Sequence, residues 1–138
     1  MAQNTAPIFT ATPRLGFGAI NAVNNTFDMT TGTSASLFVA GSRGSYVSKI
    51  RVKPSGSTAA TVLRFFLNTG GSTVVSTNNS LYAELSLPAI TTSSILAQND
   101  FEVPFNIAIP ASYTIYGVSA TAPGAGTGFE VTTVGGDY

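Results

Sequence analysis

Apolar and polar residues alternate along most of this chain, a pattern that predicts β-strands. The longest such stretch is residues 43–67, RGSYVSKIRVKPSGSTAATVLRFFL, in which two apolar-rich runs flank a Pro-Ser-Gly-Ser-Thr connection. Strict alternation divides the first run into one face with Val47, Lys49, Arg51 and Lys53 and another with Tyr46, Ser48, Ile50 and Val52. This run is therefore predicted to be a strand with a basic face that meets a partner.

The second run and the segments after it add further strands. Residues 61–68, TVLRFFLN, carry bulk on both faces, which predicts a central strand with Arg64 and Phe66 opposite Phe65. Residues 81–88, LYAELSLP, predict a strand with four inward residues, Leu81, Ala83, Leu85 and Leu87. Further strands are predicted at residues 15–20, 36–40, 101–104, 106–110, 113–121 and 129–134. Residues 93–99, SSILAQN, predict one helical turn capped by Ser93.

These elements predict an all-β protein with a single domain. Eight or nine strands with a turn signal about every ten residues are typical of a β-sandwich or barrel. The strand number and the lack of an internal repeat favour a jelly roll, with an immunoglobulin-like sandwich as the alternative. Residues 14–138 are predicted to form this domain. Residues 1–13, with two prolines, predict an extended arm or an edge strand, and an arm would either fray or lie across a neighbour through Ile8 and Phe9.

The composition argues against an enzyme. The 138 residues include no cysteine and no histidine, which excludes disulfides, Cys/His zinc sites and a histidine general base. Asp100 and Glu102 place two carboxylates on one strand face, but a calcium loop needs more oxygen ligands close by. The GAGTG segment at residues 124–128 precedes a strand, so it predicts a hairpin turn rather than a phosphate loop. No catalytic residue, metal or other cofactor is predicted.

The charges are few and unevenly distributed along the chain. Charged residues make up only 9% of the chain, and a surface so poor in charge is typical of a subunit that is covered in an assembly. Residues 1–69 carry a net charge of 6 − 1 = +5, and residues 70–138 carry 0 − 5 = −5. Either strands from the two halves interleave and pair their charges on one sandwich, or subunits meet a neighbour through opposite patches. Lone carboxylates at Glu84 and Glu130 are predicted to pair with Lys49, Arg51 or Arg64.

Membranes and nucleic acids are disfavoured as partners. No run of 18 apolar residues is present, and the first residues lack the basic and apolar segments of a signal peptide. The net charge is zero, whereas nucleic-acid-binding domains are usually basic overall. A protein partner with an acidic surface fits the basic face better.

Several stretches resemble a family of small virion proteins of tailed bacteriophages. These are YVSKIRVKP, TVLRFFLN with the Gly-rich turn that follows it, NNSLYAELSLP, PFNIAIPASY and the final VTTVGGDY, and together they span residues 46–138. The family is that of capsid cement, or decoration, proteins. The resemblance implies a jelly-roll or related β-domain that sits as an oligomer on the outer face of the head shell and clamps neighbouring major capsid subunits. It implies no catalytic residues.

Two functions are therefore expected. In the first, the protein is a capsid cement protein, a homodimer or homotrimer on the outer surface of the capsid that binds the major capsid protein. Its predicted contact residues are in the arm, on the basic strands and in the last two positions: Ile8, Phe9, Arg43, Lys49, Arg51, Lys53, Arg64, Asp137 and Tyr138. In the second, it is a receptor- or glycan-binding sandwich of a tail or head fibre, with Tyr82, Tyr113 and Tyr116 as stacking platforms.

Overall fold

The computed structural model describes residues 9–138, and their secondary structure is almost entirely β. One short 3₁₀-helix, Ser76–Asn78, precedes the fifth strand. The eight strands of the described part are β1 (Thr12–Ile20), β2 (Ala35–Val39), β3 (Ser45–Pro54), β4 (Thr61–Asn68), β5 (Asn79–Leu87), β6 (Phe101–Ile109), β7 (Thr114–Ser119) and β8 (Phe129–Asp137). The predicted all-β domain is confirmed. Ile8 and most of the predicted arm lie outside the described residues.

The strands form two four-stranded antiparallel sheets that pack as a sandwich. Their orders are β1-β8-β3-β6 and β2-β7-β4-β5. The neighbours include β4 with β5, β3 with β6, β2 with β7 and β1 with β8. The chain therefore pairs as one long hairpin whose successive strand pairs alternate between the two sheets. This is the strand order of a jelly roll, the predicted fold.

The inner faces of the two sheets form one apolar core. β3 contributes Val47, Ile50 and Val52, and β4 contributes Leu63 and Phe65, all with no exposed surface. Burying a side chain of this size contributes about 1.5–3 kcal/mol. Because β4 lies between β7 and β5, its burial on both faces agrees with the central position predicted for it.

In the first half of β3, the side chains lie on faces opposite to those predicted. The pairing register of β3 shifts between Val47 and Lys49 against both neighbours, β6 and β8. Such a bulge inserts one residue and reverses the alternation. Val47 is therefore buried in the core, and Tyr46 lies on the outer face with the basic residues, so the predicted sides of both were wrong.

A second shift, between Phe65 and Phe66 where β4 pairs with β5, has a similar effect. Phe66 faces away from the core, as predicted, and Leu81 packs beside it on that outer face instead of facing inward. The loop at residues 21–34 covers this face, and its Met29 packs against Phe66 and Val118. One outer face of the sandwich is thus covered by its own chain.

The two sheets approach closely where β1 crosses β2. A Cβ atom at Gly16 would lie 2.2 Å from the Leu37 carbonyl oxygen, and one at Gly18 would lie 2.6 Å from the Leu37 side chain. Only glycine permits this spacing. The glycine face of β1 therefore points inward, and Leu15 and Phe17 point outward.

Two local predictions were wrong. Residues 101–110 form one strand instead of two, because β6 is at a sheet edge, where Pro104 is tolerated. Residues 93–99 form no helical turn; the Ser93 hydroxyl instead accepts a hydrogen bond from the Ile95 amide at 3.2 Å. β1 is an edge strand that begins at Thr12, within the segment predicted as an arm or edge strand, and the Ala11 amide already donates to the Asp137 carbonyl.

Candidate interaction surface

The residues predicted to contact a partner lie in three separate places in the described structure. Lys49, Arg51 and Lys53 are on the outer face of the β1-β8-β3-β6 sheet. Arg64 is on the outer face of the other sheet. The remaining residues, Phe9, Arg43, Asp137 and Tyr138, converge at one end of the sandwich.

The basic face of β3 is paired with Glu102 of β6 and with Asp100, the residue directly before β6. The Lys49 Nζ lies 2.9 Å from a Glu102 carboxylate oxygen, and Lys53 Nζ lies 3.2 Å from Asp100. Arg51 contacts both carboxylates, at 3.0 Å and 3.3 Å. Strands from the two halves of the chain therefore interleave and pair their charges on one sheet, the first of the two interpretations above. This pairing offsets most of the positive charge that a phosphate backbone would need.

Arg64 makes its contacts within the subunit. Its side chain is only 9% exposed, and its Nε donates to Glu84 at 2.9 Å. Its Nη1 donates to the Asn25 carbonyl at 3.2 Å, and the guanidinium carbon lies 3.9 Å from the centre of the Phe27 ring. The loop at residues 21–34 thus covers Arg64, and a covered side chain does not suit the predicted contact with a partner. The predicted pairing of Glu84 with a basic residue is found with Arg64.

At the end of the sandwich, Asp137 joins three segments of the chain. Arg14 donates to its carboxylate at 2.9 Å and 3.2 Å, and the Ser45 hydroxyl donates to it as well. Burial works to raise the pKa of Asp137, but hydrogen bonds from Ser45, Arg14 and the Gly41 amide, with the charge of Arg14, hold this pKa below its ordinary value. Asp137, which lies in β8, therefore links that strand to β1 and to the turn that precedes β3.

This arrangement presents an aromatic groove to the outside. Its lining residues are Phe9, Thr10, Tyr46 and Tyr138. Phe9 is 80% exposed, so its ring is open to a partner. Arg43 is exposed in the turn beside the groove, where the Tyr138 amide donates to the Gly44 carbonyl at 3.2 Å. Arg43 has no ion pair within residues 9–138.

Tyr46 belongs to this groove, although the sequence placed it on the apolar face of β3. Strict alternation places Tyr46 on the same face as Ile50. The bulge between Val47 and Lys49 puts these two side chains on opposite faces, and the residue types do not indicate it.

The outer face of β1 carries an apolar row beside the groove. Leu15 is 55% exposed and Phe17 is 72% exposed, and their neighbours across the ladder are Val134 and Thr132. The opposite outer face of the sandwich has its apolar residues covered by the loop at residues 21–34. Within the described chain, no loop packs over Leu15 and Phe17.

The three tyrosines considered for glycan stacking lie in different surroundings. Tyr82 packs on Phe105 with ring centres 4.8 Å apart and donates to the Phe105 carbonyl at 3.0 Å. Tyr113 packs against the main core, and Tyr116 packs against the outer cluster around Phe66. They form no common platform.

Residues 9–138 show no grouping of three or more acidic, histidine or cysteine side chains that would suit a metal ion. The described chain also contains no helix of the length and apolar character that a membrane crossing requires. Comparisons with protein-family models, with curated proteins and with solved structures found no match to this chain.

Proposed function

We propose that the protein is a capsid cement protein that binds the outer surface of a tailed-bacteriophage head and stabilises the contacts between major capsid protein subunits. The resemblance of residues 46–138 to that family suggests the partner. The observation that carries the proposal is the aromatic groove with Arg43 beside it. Aromatic residues and arginine are enriched at protein interfaces and supply most of the residues that dominate binding energy.

The rest of the surface suits such a role. Ion pairs within the subunit offset most of the charge on the outer face of β3, so a protein surface meets little unpaired charge there. A cement protein also needs only modest affinity for each site, because an oligomer repeats each contact. Once one subunit is bound, the effective concentration of the next subunit at its own site is high. Binding only to the assembled shell then favours that shell by mass action.

The test uses heads that are assembled without this protein. Purified protein is added, bound protein is measured by co-sedimentation, and the temperature at which the heads release their contents is recorded with and without it. We expect saturable binding and a higher release temperature. Heads that bind no protein, or whose release temperature is unchanged at saturation, contradict the proposal.

A pair of matched variants then locates the contact. Arg43→Glu reverses an exposed charge beside the groove and is expected to weaken head binding about tenfold or more, since charge pairs at interfaces contribute in this range. Lys53→Glu reverses an exposed charge on the paired face and should have a smaller effect on binding. Equal effects of the two changes would rule out the groove as the contact.

A further inference from the structure

The four sheet edges of the sandwich differ in how well they are protected against pairing with another strand. β1 and β6 are the edges of one sheet, and β2 and β5 are the edges of the other. Edge strands present unpaired N–H and C=O groups, and natural proteins block them with bulges, prolines, charges or short length. Three of these edges show such protection, and β1 shows much less.

β2 has only five residues and a register shift between Ser36 and Phe38. β5 has an extra residue, Tyr82, in its pairing with β4. β6 contains Pro104, lies opposite the bulge of β3 and has Asn106 in the left-handed region with φ of 48°. β6 also carries the outward carboxylate of Glu102, with that of Asp100 directly before the strand. None of these three strands offers a regular edge to a partner.

β1 pairs with β8 in one unbroken register of nine residue pairs, from Thr12 opposite Asp137 to Ile20 opposite Phe129. Its only proline is Pro13, next to its start, so each of residues 14–20 keeps its N–H. Within residues 9–138, β1 has no strand partner on its other side and its edge backbone makes no other backbone hydrogen bond. Its outward side chains include the exposed Leu15 and Phe17.

We propose that the edge of β1 pairs antiparallel with β1 of a second copy of this chain, around a two-fold axis, so that two four-stranded sheets join into one of eight strands. A two-fold contact uses the same surface on both copies, and that surface must therefore be compatible with itself. If Gly16 lies on the axis, Leu15 of each copy is opposite Phe17 of the other. If Phe17 lies on the axis, the two Phe17 rings are opposite each other.

The charges of β1 favour a second copy over a charged partner. Arg14 is the one charged residue of the strand, and its guanidinium is already paired with Asp137 at 2.9 Å within the same subunit. Two copies therefore bring no unpaired like charges together. In both registers, apolar side chains of the two copies face each other across the new ladder, and such cross-strand pairs stabilise a sheet.

The test is the mass of the purified full chain measured by light scattering during size-exclusion chromatography. We expect twice the 14.1 kDa of one chain, and a dissociation constant that rises about 100-fold in Phe17→Lys, which loses two apolar contacts and places like charges close together. Ile95→Lys is the matched control, because Ile95 is 87% exposed in a loop away from β1, and it should leave the dimer intact. Thermal unfolding checks that both variants remain folded.

A mixing experiment shows whether both copies use the same strand. Phe17→Lys and Phe17→Glu should each be largely monomeric alone and should form a heterodimer when mixed. Amide hydrogen exchange should show protection of β1 in the dimer that is lost on dilution. A monomer at all concentrations, a trimer, or a dimer that Phe17→Lys leaves unchanged overturns the inference.

This inference does not depend on the proposed function, and the two fail in different ways. A protein that dimerises through β1 but does not bind heads contradicts the cement role alone. A monomer that binds heads, with β1 protected from exchange only in their presence, would show that β1 accepts a strand of the capsid protein instead.

Discussion

Replacing Arg64 with alanine should destabilise the protein by about 2 kcal/mol, although an exposed surface arginine would contribute little. The change removes a hydrogen bond to the Asn25 carbonyl, an ion pair with Glu84 and a contact with the Phe27 ring. A hydrogen bond typically contributes about 1 kcal/mol, a partly exposed ion pair up to about 1 and a partly exposed cation–π contact about 0.5–1. Glu84 is about half exposed, so water solvates it once Arg64 is gone.

The assay is urea or thermal unfolding, followed by circular dichroism. For a domain of this size, a loss of 2 kcal/mol lowers the melting temperature by roughly 7 °C. Arg51→Ala is the control: its side chain is 46% exposed, so its ion pairs should contribute about 0.5 kcal/mol. Equal losses for Arg64→Ala and Arg51→Ala would refute the reasoning, because they would mean that burial by the covering loop does not strengthen the contacts of Arg64.

Three further outcomes follow from the structure. Hydrogen bonds from Ser45 and Arg14 lower the pKa of Asp137, so its contribution to the free energy of unfolding is fully present above the ordinary pKa of 3.8. Asp137→Asn should therefore lower the free energy of unfolding at neutral pH. In an acid titration of unfolding, the difference from wild type should shrink as the pH falls below 3.8. Gly16→Ala should cost about 1–3 kcal/mol in the same assay at neutral pH, since the added Cβ would lie 2.2 Å from a β2 carbonyl, and an unchanged stability would contradict the close approach. Thr133→Val should stabilise the fold by about 1 kcal/mol, because the Thr133 hydroxyl is fully buried and has no hydrogen-bond partner in the described chain; a loss of stability would show that this hydroxyl is bonded.

The strands could be predicted from the sequence because burial on one face imposes a period of two. β3, β4 and β5 were located to within a few residues, and the opposite charges of the two halves correctly indicated pairing between strands. The order of the strands within each sheet follows from contacts between distant parts of the chain. The number of strands favoured a jelly roll, but no residue pattern identified which strands are neighbours.

The errors arose where the period of two is broken. A bulge moves every following side chain to the other face, and the residue types around Ser48 in β3 and Tyr82 in β5 give no sign of it. The position of Tyr46 in the aromatic groove depends on the first of these bulges. The burial of Arg64 depends on a loop that packs from residues 21–34, and a polar loop sequence does not specify the sheet face on which it lies.

The pairing of the first strand, β1, with the last, β8, also affects how the protein folds during its synthesis. β8 is the last of the eight strands to leave the ribosome, yet it lies between β1 and β3 in its sheet. Until then β1, the first strand, has no sheet partner, and contacts this distant in sequence form slowly. The nascent chain must therefore hold seven strands in an unfinished state with apolar surface exposed, and such states are prone to aggregation. We expect the soluble yield to depend strongly on translation rate and chaperone supply, and a chain shortened before β8 to accumulate in inclusion bodies.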